Sequence, residues 1–336
     1  MRRLLVLGGL LVLTAGDAFA QSKTGTTVGT FLRIEPDARI TAMGNAGVSQ
    51  ANGLASYYFN PASVSLLEKK ELAFSHSAWI ADIAFDHIAG AFPLGKKGTA
   101  VVNVTSLRSG DIDVRTVEQP LGTGERYHVS DFAAGLGWAR PITDRFSIGV
   151  QAQYLQETIW NNSLRSVVFG LGTLYTTSPK GLVMGASISN LGTGGAFSGR
   201  DLGVTFDQDP NSNGDNPTIP AEILTEEFGV PTLLRFGLAM PVEINGANKL
   251  RFEVDALHAS DNSESLNLGG EYSYRERFAA RAGWRDLFAE DAEGGLTLGA
   301  GWTGEMNNSL GFDFAYAYAD QGRLGTVHRL TVGVDF

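Results

Sequence analysis

The 336 residues contain no cysteine, so this chain has no disulfide framework, thiolate metal centre or cysteine nucleophile. It also lacks an apolar run of about 18 residues or more, the length a membrane-spanning helix needs. The longest such run is Leu4–Ala15, which excludes helical spans. Charge is sparse: 18% of residues carry one, against about 25% in an average soluble chain. Lys and Arg number 26 against 36 Asp and Glu, and no basic stretch exists to line a nucleic-acid groove, so nucleic acid is excluded as a partner. What is abundant is apolar side chains, at 43%, and glycine, at 42 residues.

The first twenty residues have the layout of a secretory leader. Arg2 and Arg3 supply the positive end, Leu4–Ala15 the apolar stretch, and Ala18-Phe19-Ala20 the small-residue cleavage site before Gln21. Removing residues 1–20 takes away two arginines and Asp17, leaving a net charge of −11.

A two-residue period runs through most of the exported chain. Leu330, Val332, Val334 and Phe336 alternate with Arg329, Thr331, Gly333 and Asp335, which places one set on each face of a strand. The same alternation recurs from Leu310 to Tyr318, Leu250 to Leu257, Phe146 to Tyr154 and Leu266 to Ser273. One face is continuous aliphatic and aromatic surface; the other gathers Arg, Glu and Asp beside Gly and Ala. Export, long alternating strands and an unbroken greasy face together predict an all-β protein, a transmembrane antiparallel β-barrel of the bacterial outer membrane. In hydrocarbon a closed barrel pairs every backbone group without leaving an edge.

About fourteen segments fit: 70–78, 83–93, 98–108, 127–140, 145–158, 164–177, 181–191, 232–243, 248–259, 265–275, 277–287, 295–304, 309–320 and 325–336. Residues 70–336 are thus expected to form one barrel. Sixteen strands stays open, because Asp111–Glu118 has the pattern of an extra hairpin strand. Tight turns at Leu94–Gly98, Pro141–Asp144, Ser178–Lys180, Asn245–Asn248, Arg275–Glu276 and Gly304–Asn308 belong in the periplasm. The longer Ser109–Arg126 and Gly192–Pro231 belong outside the cell. Aromatics sort to the two rims, Trp138, Tyr274, Phe278, Trp302 and Phe336 at one, Tyr154, Trp160, Trp284 and Tyr316 at the other, as interfacial girdles do.

Residues 21–69 lack this alternation and carry helix-like stretches around Pro36–Met43 and Leu54–Leu67. The segment is too apolar for a free tail and is expected to fold inward as a hatch or plug; a periplasmic partner-binding arm is the alternative. Asp37-Ala38-Arg39, then Ala42-Met43-Gly44-Asn45-Ala46-Gly47-Val48, then Ala55-Ser56-Tyr57-Tyr58-Phe59-Asn60-Pro61-Ala62-Ser63 resembles the hatch of the PorV/PorQ proteins and, more distantly, of FadL-type transporters. Met43, Gly44, Gly47, Tyr58, Phe59, Asn60 and Pro61 carry the resemblance. It implies a fourteen-strand barrel with an inward-folded amino terminus. It also implies one of two roles: an outer-membrane component of type IX protein secretion and surface attachment, or passage of hydrophobic small molecules. The partners implied are outer-membrane lipid, a large secretion translocon barrel or its secreted cargo, and hydrophobic small molecules.

Three groups of residues are candidate sites. Arg235, Arg251, Glu253, Asp255, Glu271, Arg281, Arg285, Asp313, Arg329 and Asp335 fall on the lumen face with mixed signs, the pattern of internal salt bridges holding the hatch. Phe31, Tyr57, Tyr58 and Phe59 are candidates to line an apolar ligand pocket or to form the hatch core. In the long loop, Asp207, Asp209, Asn211, Asn213 and Asp215 offer oxygen ligands at alternate positions, as calcium loops do, but the glycine falls at the eighth place and Thr218 stands where the closing glutamate belongs. A solvated acidic turn is the plainer reading, and no other cofactor is implied. That loop, 192–231, holds seven acids against one arginine, a net of −6 and more than half the exported charge, which suits a basic partner. His76, His128, His258 and His328 fall by parity on the greasy face near the outer rim with no catalytic companion, so the chain is read as a non-enzyme.

Overall fold

The computed structural model describes residues 25–51, 53–178, 180–208, 218–289, 292–306 and 310–336; the leader, residues 1–20, lies outside the described residues. Fourteen strands make the wall: β1 (Glu71–Ala78), β2 (Ala84–Pro93), β3 (Thr99–Arg108), β4 (Val129–Pro141), β5 (Phe146–Ile159), β6 (Asn162–Thr176), β7 (Val183–Gly192), β8 (Leu233–Asn245), β9 (Asn248–Ala259), β10 (Ser265–Tyr274), β11 (Phe278–Leu287), β12 (Leu296–Met306), β13 (Leu310–Asp320) and β14 (Thr326–Asp335). Each pairs antiparallel with the next, and β1 pairs with β14 from Glu71–Asp335 to Ala78–His328, so the sheet closes on itself. Lys70 and Phe336 exchange backbone hydrogen bonds of 3.0 Å and extend that seam. Every strand lies within about two residues of its expected bounds. The sixteen-strand alternative is corrected: of Asp111–Glu118 only Ile112–Asp113 pairs, with Arg126–Tyr127, as a ribbon outside the wall sheet.

Alternation becomes two faces. On β14, Leu330 and Val332 point to lipid, whereas Val327, Arg329 and Thr331 are buried inward. The hairpins at one end are short; Arg275 and Glu276 both have positive φ, 52° and 56°, the two-residue turn whose twist matches the strands it joins. Both ends of the wall, Lys70 and Phe336, lie at this end, the one expected to face the periplasm. The long connections gather at the other. Within 192–231, Gly203–Phe206 pairs with Ile219–Glu222 as a second ribbon, and Gly195 bridges Phe228.

Residues 25–69 run through the lumen from the loop end to the turn end. Thr27 bridges Gly229 of the long loop, and Val28, Phe31 and Leu32 pack with Phe85, Leu107, Leu155 and Val230. A short helix, α1 (Ala38–Ala42), comes next, then 3-10 turns at Leu54–Ser56 and Pro61–Val64. Leu54, Tyr57 and Val64 pack against Ala89, Ala91 and Val101 nearer the turn end. Lys69 then pairs with Asp335 at 2.6 Å before β1 begins. Among the described residues no helix is long and apolar enough to cross a membrane.

Candidate functional site: the seam between the amino-terminal segment and the wall

Glycines in the wall set how close the segment comes. A Cβ on Gly149 would lie 2.3 Å from the Pro61 carbonyl carbon, one on Gly185 2.3 Å from Val48 O, and one on Gly283 2.2 Å from Gly44 N. Backbone therefore meets backbone at these points. Gly44 is doubly constrained: its φ is +67°, and a Cβ there would stand 2.5 Å from Leu268 O. The inward glycines expected from composition thus make room for main chain.

Backbone brought that close must have its N–H and C=O groups answered, and the lumen face supplies the partners. Asp255 Oδ2 accepts from Gly47 N (2.7 Å) and Val48 N (2.9 Å), and Glu253 Oε1 from Ser49 N (3.0 Å). Thr297 Oγ1 donates to Ala42 O and accepts from Gly44 N, while Thr331 Oγ1 accepts from Ala38 N. Asp37 caps α1 by accepting from Arg39 N and Ile40 N. Burial raises the Asp37 carboxyl above its usual range, opposed by the Ile40 N–H and the Arg39 charge. Asn60, buried before Pro61, accepts from Ala62 N and donates to Val48 O and Thr173 O, both at 2.9 Å. Ser187 donates to Phe59 O at 2.6 Å.

The expected lumen charges are thus placed inward, but not as one salt-bridge network. Among the described residues only Glu271 and Arg281 of that set pair with each other, at 2.6 Å. Arg39 of the segment completes the arrangement with two bonds to Glu271, 2.9 and 3.0 Å. Arg329 binds Ser77 Oγ and Thr41 Oγ1, and its guanidinium sits over the Trp79 ring. Arg235 binds Ser189 Oγ and lies over Phe59. Arg285 pairs with its neighbour Asp286 near the loop end, Asp313 accepts from Thr303, and Asp335 pairs with Lys69. The physical reason is geometric: unpaired peptide groups of the segment reach the carboxylates first.

Phe31, Tyr57, Tyr58 and Phe59 are all less than a tenth exposed and fall in three separate apolar clusters, so they are core and not the lining of one ligand pocket. Tyr58 donates its hydroxyl to Leu32 O, and Met43 is fully buried. Of the calcium candidates, Asp209, Asn211, Asn213 and Asp215 lie outside the described residues; Asp207, which precedes them, is half-buried. His76, His258 and His328 stand on the outer face, beside Asp86, Glu264 and Tyr316 respectively, while His87 is buried in the lumen 2.8 Å from Thr105 Oγ1.

Arg39, Glu157 and Asp261 are contacts that reading the sequence missed. Glu157 accepts from Gly29 N at 2.7 Å, and Asp261 takes both Thr27 and Arg33 at the outer mouth. Parity marks Glu157 as inward, and that was the one available signal; Asp261 lies in a turn, where parity is silent.

A closed fourteen-strand barrel threaded by its own amino terminus defines an outer-membrane barrel of FadL-like fold. Similar solved structures are the toluene transporter TodX of Pseudomonas putida (13% identity, TM-score 0.55, 90% of this chain and 98% of that one) and the toluene transporter TbuX of Ralstonia pickettii (13%, 0.51, 89% and 97%). A FadL homologue of Pseudomonas aeruginosa is 12% identical with TM-score 0.52 over 90% and 98%. At such identities the likeness is one of fold. No curated protein matches. Residues 17–170, through most of β6, match the family described as type IX secretion system protein PorV.

Proposed function

We propose that this protein is a closed, non-enzymatic component of type IX protein secretion and surface attachment, acting through its surfaces and not through an open pore. The reading rests on a lumen occupied by residues 25–69 in a chain whose amino-terminal half matches PorV. In it, 21–69 is the plug, 70–336 the wall, and the acidic loop 192–231 a docking surface for a basic partner, either a large translocon barrel or secreted cargo. The hatch residues Met43, Gly44, Gly47, Asn60 and Pro61 serve that plug by backbone fit. Its test is purification from native membranes without crosslinking. A large co-purifying barrel or cargo protein is the expected result. Large, steady ion conductance of the reconstituted barrel would overturn the plugged reading.

Passage of hydrophobic small molecules is the second reading, favoured by the fold shared with the toluene transporters. It predicts recovery of the barrel alone, loaded with a hydrophobic compound other than membrane phospholipid. The packing of Phe31, Tyr57, Tyr58 and Phe59 as core weighs against it.

A further inference from the structure

The wall is uneven between β7 and β8. β7 begins at Val183, opposite Ala239, whereas β8 runs on to Asn245, so among the described residues its edge from Met240 to Asn245 has no strand partner on that side. Pro241, with no N–H to give, stands on this open edge, where proline is tolerated in a sheet. A cavity of about 620 Å³ occupies the gap at the periplasmic end. Residues of both faces line it: Val242 from the lipid side, Val183, Arg251 and Leu66 from within. Lys180 and Glu243 pair across its mouth at 2.5 Å.

Among the described residues Arg251 and Arg281 each leave Nη1 buried without a hydrogen-bond partner, and Arg251 is the one whose strand borders the gap. Its cross-strand neighbour Glu271 is already held by Arg39 and Arg281. A buried guanidinium N–H left this way is costly, and an anion in the cavity would relieve it. Cations outnumber acids around the space, with Arg145, Lys180, Lys249 and Arg251 against Asp144 and Glu243. Adjoining it on the lipid face of the same strands is a hollow of about 600 Å³ lined mainly by apolar groups, among them Tyr175, Met184, Ala186, Phe236, Leu238 and Val254. The two spaces flank the same strands from opposite faces, Thr176 and Val183 lining the first and their neighbours Tyr175 and Met184 the second.

We propose that this seam is a binding site for a membrane phospholipid, with its phosphate on Arg251 in the crevice and one acyl chain along the hollow. The crevice lies at the periplasmic rim, where headgroups of that leaflet sit, and the hollow at hydrocarbon depth. A guanidinium fork suits phosphate oxygens. A free anion has no use for the hollow. A peptide strand added to the edge of β8 would leave the hollow unfilled.

The test is native mass spectrometry of the full chain in a phosphate-free detergent, titrated with dioleoylphosphatidylglycerol and, in parallel, with inorganic phosphate and an acidic hexapeptide. One lipid should be retained. Arg251→Gln should weaken it by about tenfold or more, the loss of one charged hydrogen bond, whereas Arg275→Gln on a neighbouring turn should leave it unchanged. Ala186→Trp, which fills the hollow with apolar bulk facing lipid, should abolish retention while leaving the charges in place, and it keeps the test open if Arg251→Gln fails to fold. Lipid retained equally by either variant overturns the proposal, as does phosphate or peptide binding that is as tight as the lipid and indifferent to Ala186→Trp. The site is independent of the secretion reading, whose failure would appear in co-purification and conductance instead.

Discussion

At the scale of single residues, the segment is held by carboxylates answering peptide N–H groups. Asp255→Ala orphans two of them, Gly47 N and Val48 N, in a site closed to water. The expected cost is about 2–4 kcal/mol from the two lost charged hydrogen bonds. Hydrogen exchange should show it as lost protection over residues 44–50 while the wall stays protected; unchanged exchange there would contradict the assignment. Gly44→Ala places a methyl against Leu268 O in a left-handed conformation, and a loss of about 1–3 kcal/mol is expected. A guanidinium unfolding curve that does not move would show that the wall yields. That Asp255 points inward is legible from its alternation with Val254 and Ala256. That it binds peptide N–H groups 207 and 208 positions earlier is not, because strand parity fixes a direction and carries no information about what arrives there.

At the scale of elements, the strands and the segment differ in how much they owe to local pattern. Each strand repeats its own rule every two residues, so its span and facing are set before any partner is known. The segment has no period. Its path is set by glycines in β5, β7 and β11 that admit backbone, and by polar groups spaced around the wall. Asn60-Pro61 is the exception, a local signal with a local cause: the side chain caps the turn Pro61–Val64 and has donors left for the wall. The outer end of the path can be fixed by a staple. Thr27 and Gly229 are bridge partners, with Cα atoms about 5 Å apart as in paired strands, a separation a disulfide accommodates. In a chain without native cysteine, Thr27→Cys with Gly229→Cys should oxidise to a single crosslink, seen as a mass loss of two hydrogens. Failure to crosslink would place the segment elsewhere.

At the scale of the molecule, the short turns and both wall termini at one end predict that this end faces the periplasm. A cysteine introduced at Thr225 should react with an impermeant maleimide in intact cells, and one at Ala247 should react only after lysis; the reverse result would invert the barrel. Composition and period made the class of protein and the strand number legible. The uneven edge at β8 was not, because a mismatch in strand ends arises from pairing register and leaves each strand's own pattern intact.

The segment's lumen partners lie on β6, β9, β12 and β14, all around the wall. A wall closed while empty would leave these carboxylates and hydroxyls without their partners, facing cavities carved to fit an absent chain. Closing β1 onto β14 and seating residues 25–64 are therefore expected to be coupled, so that a chain lacking residues 25–64 should fail to close into a stable barrel.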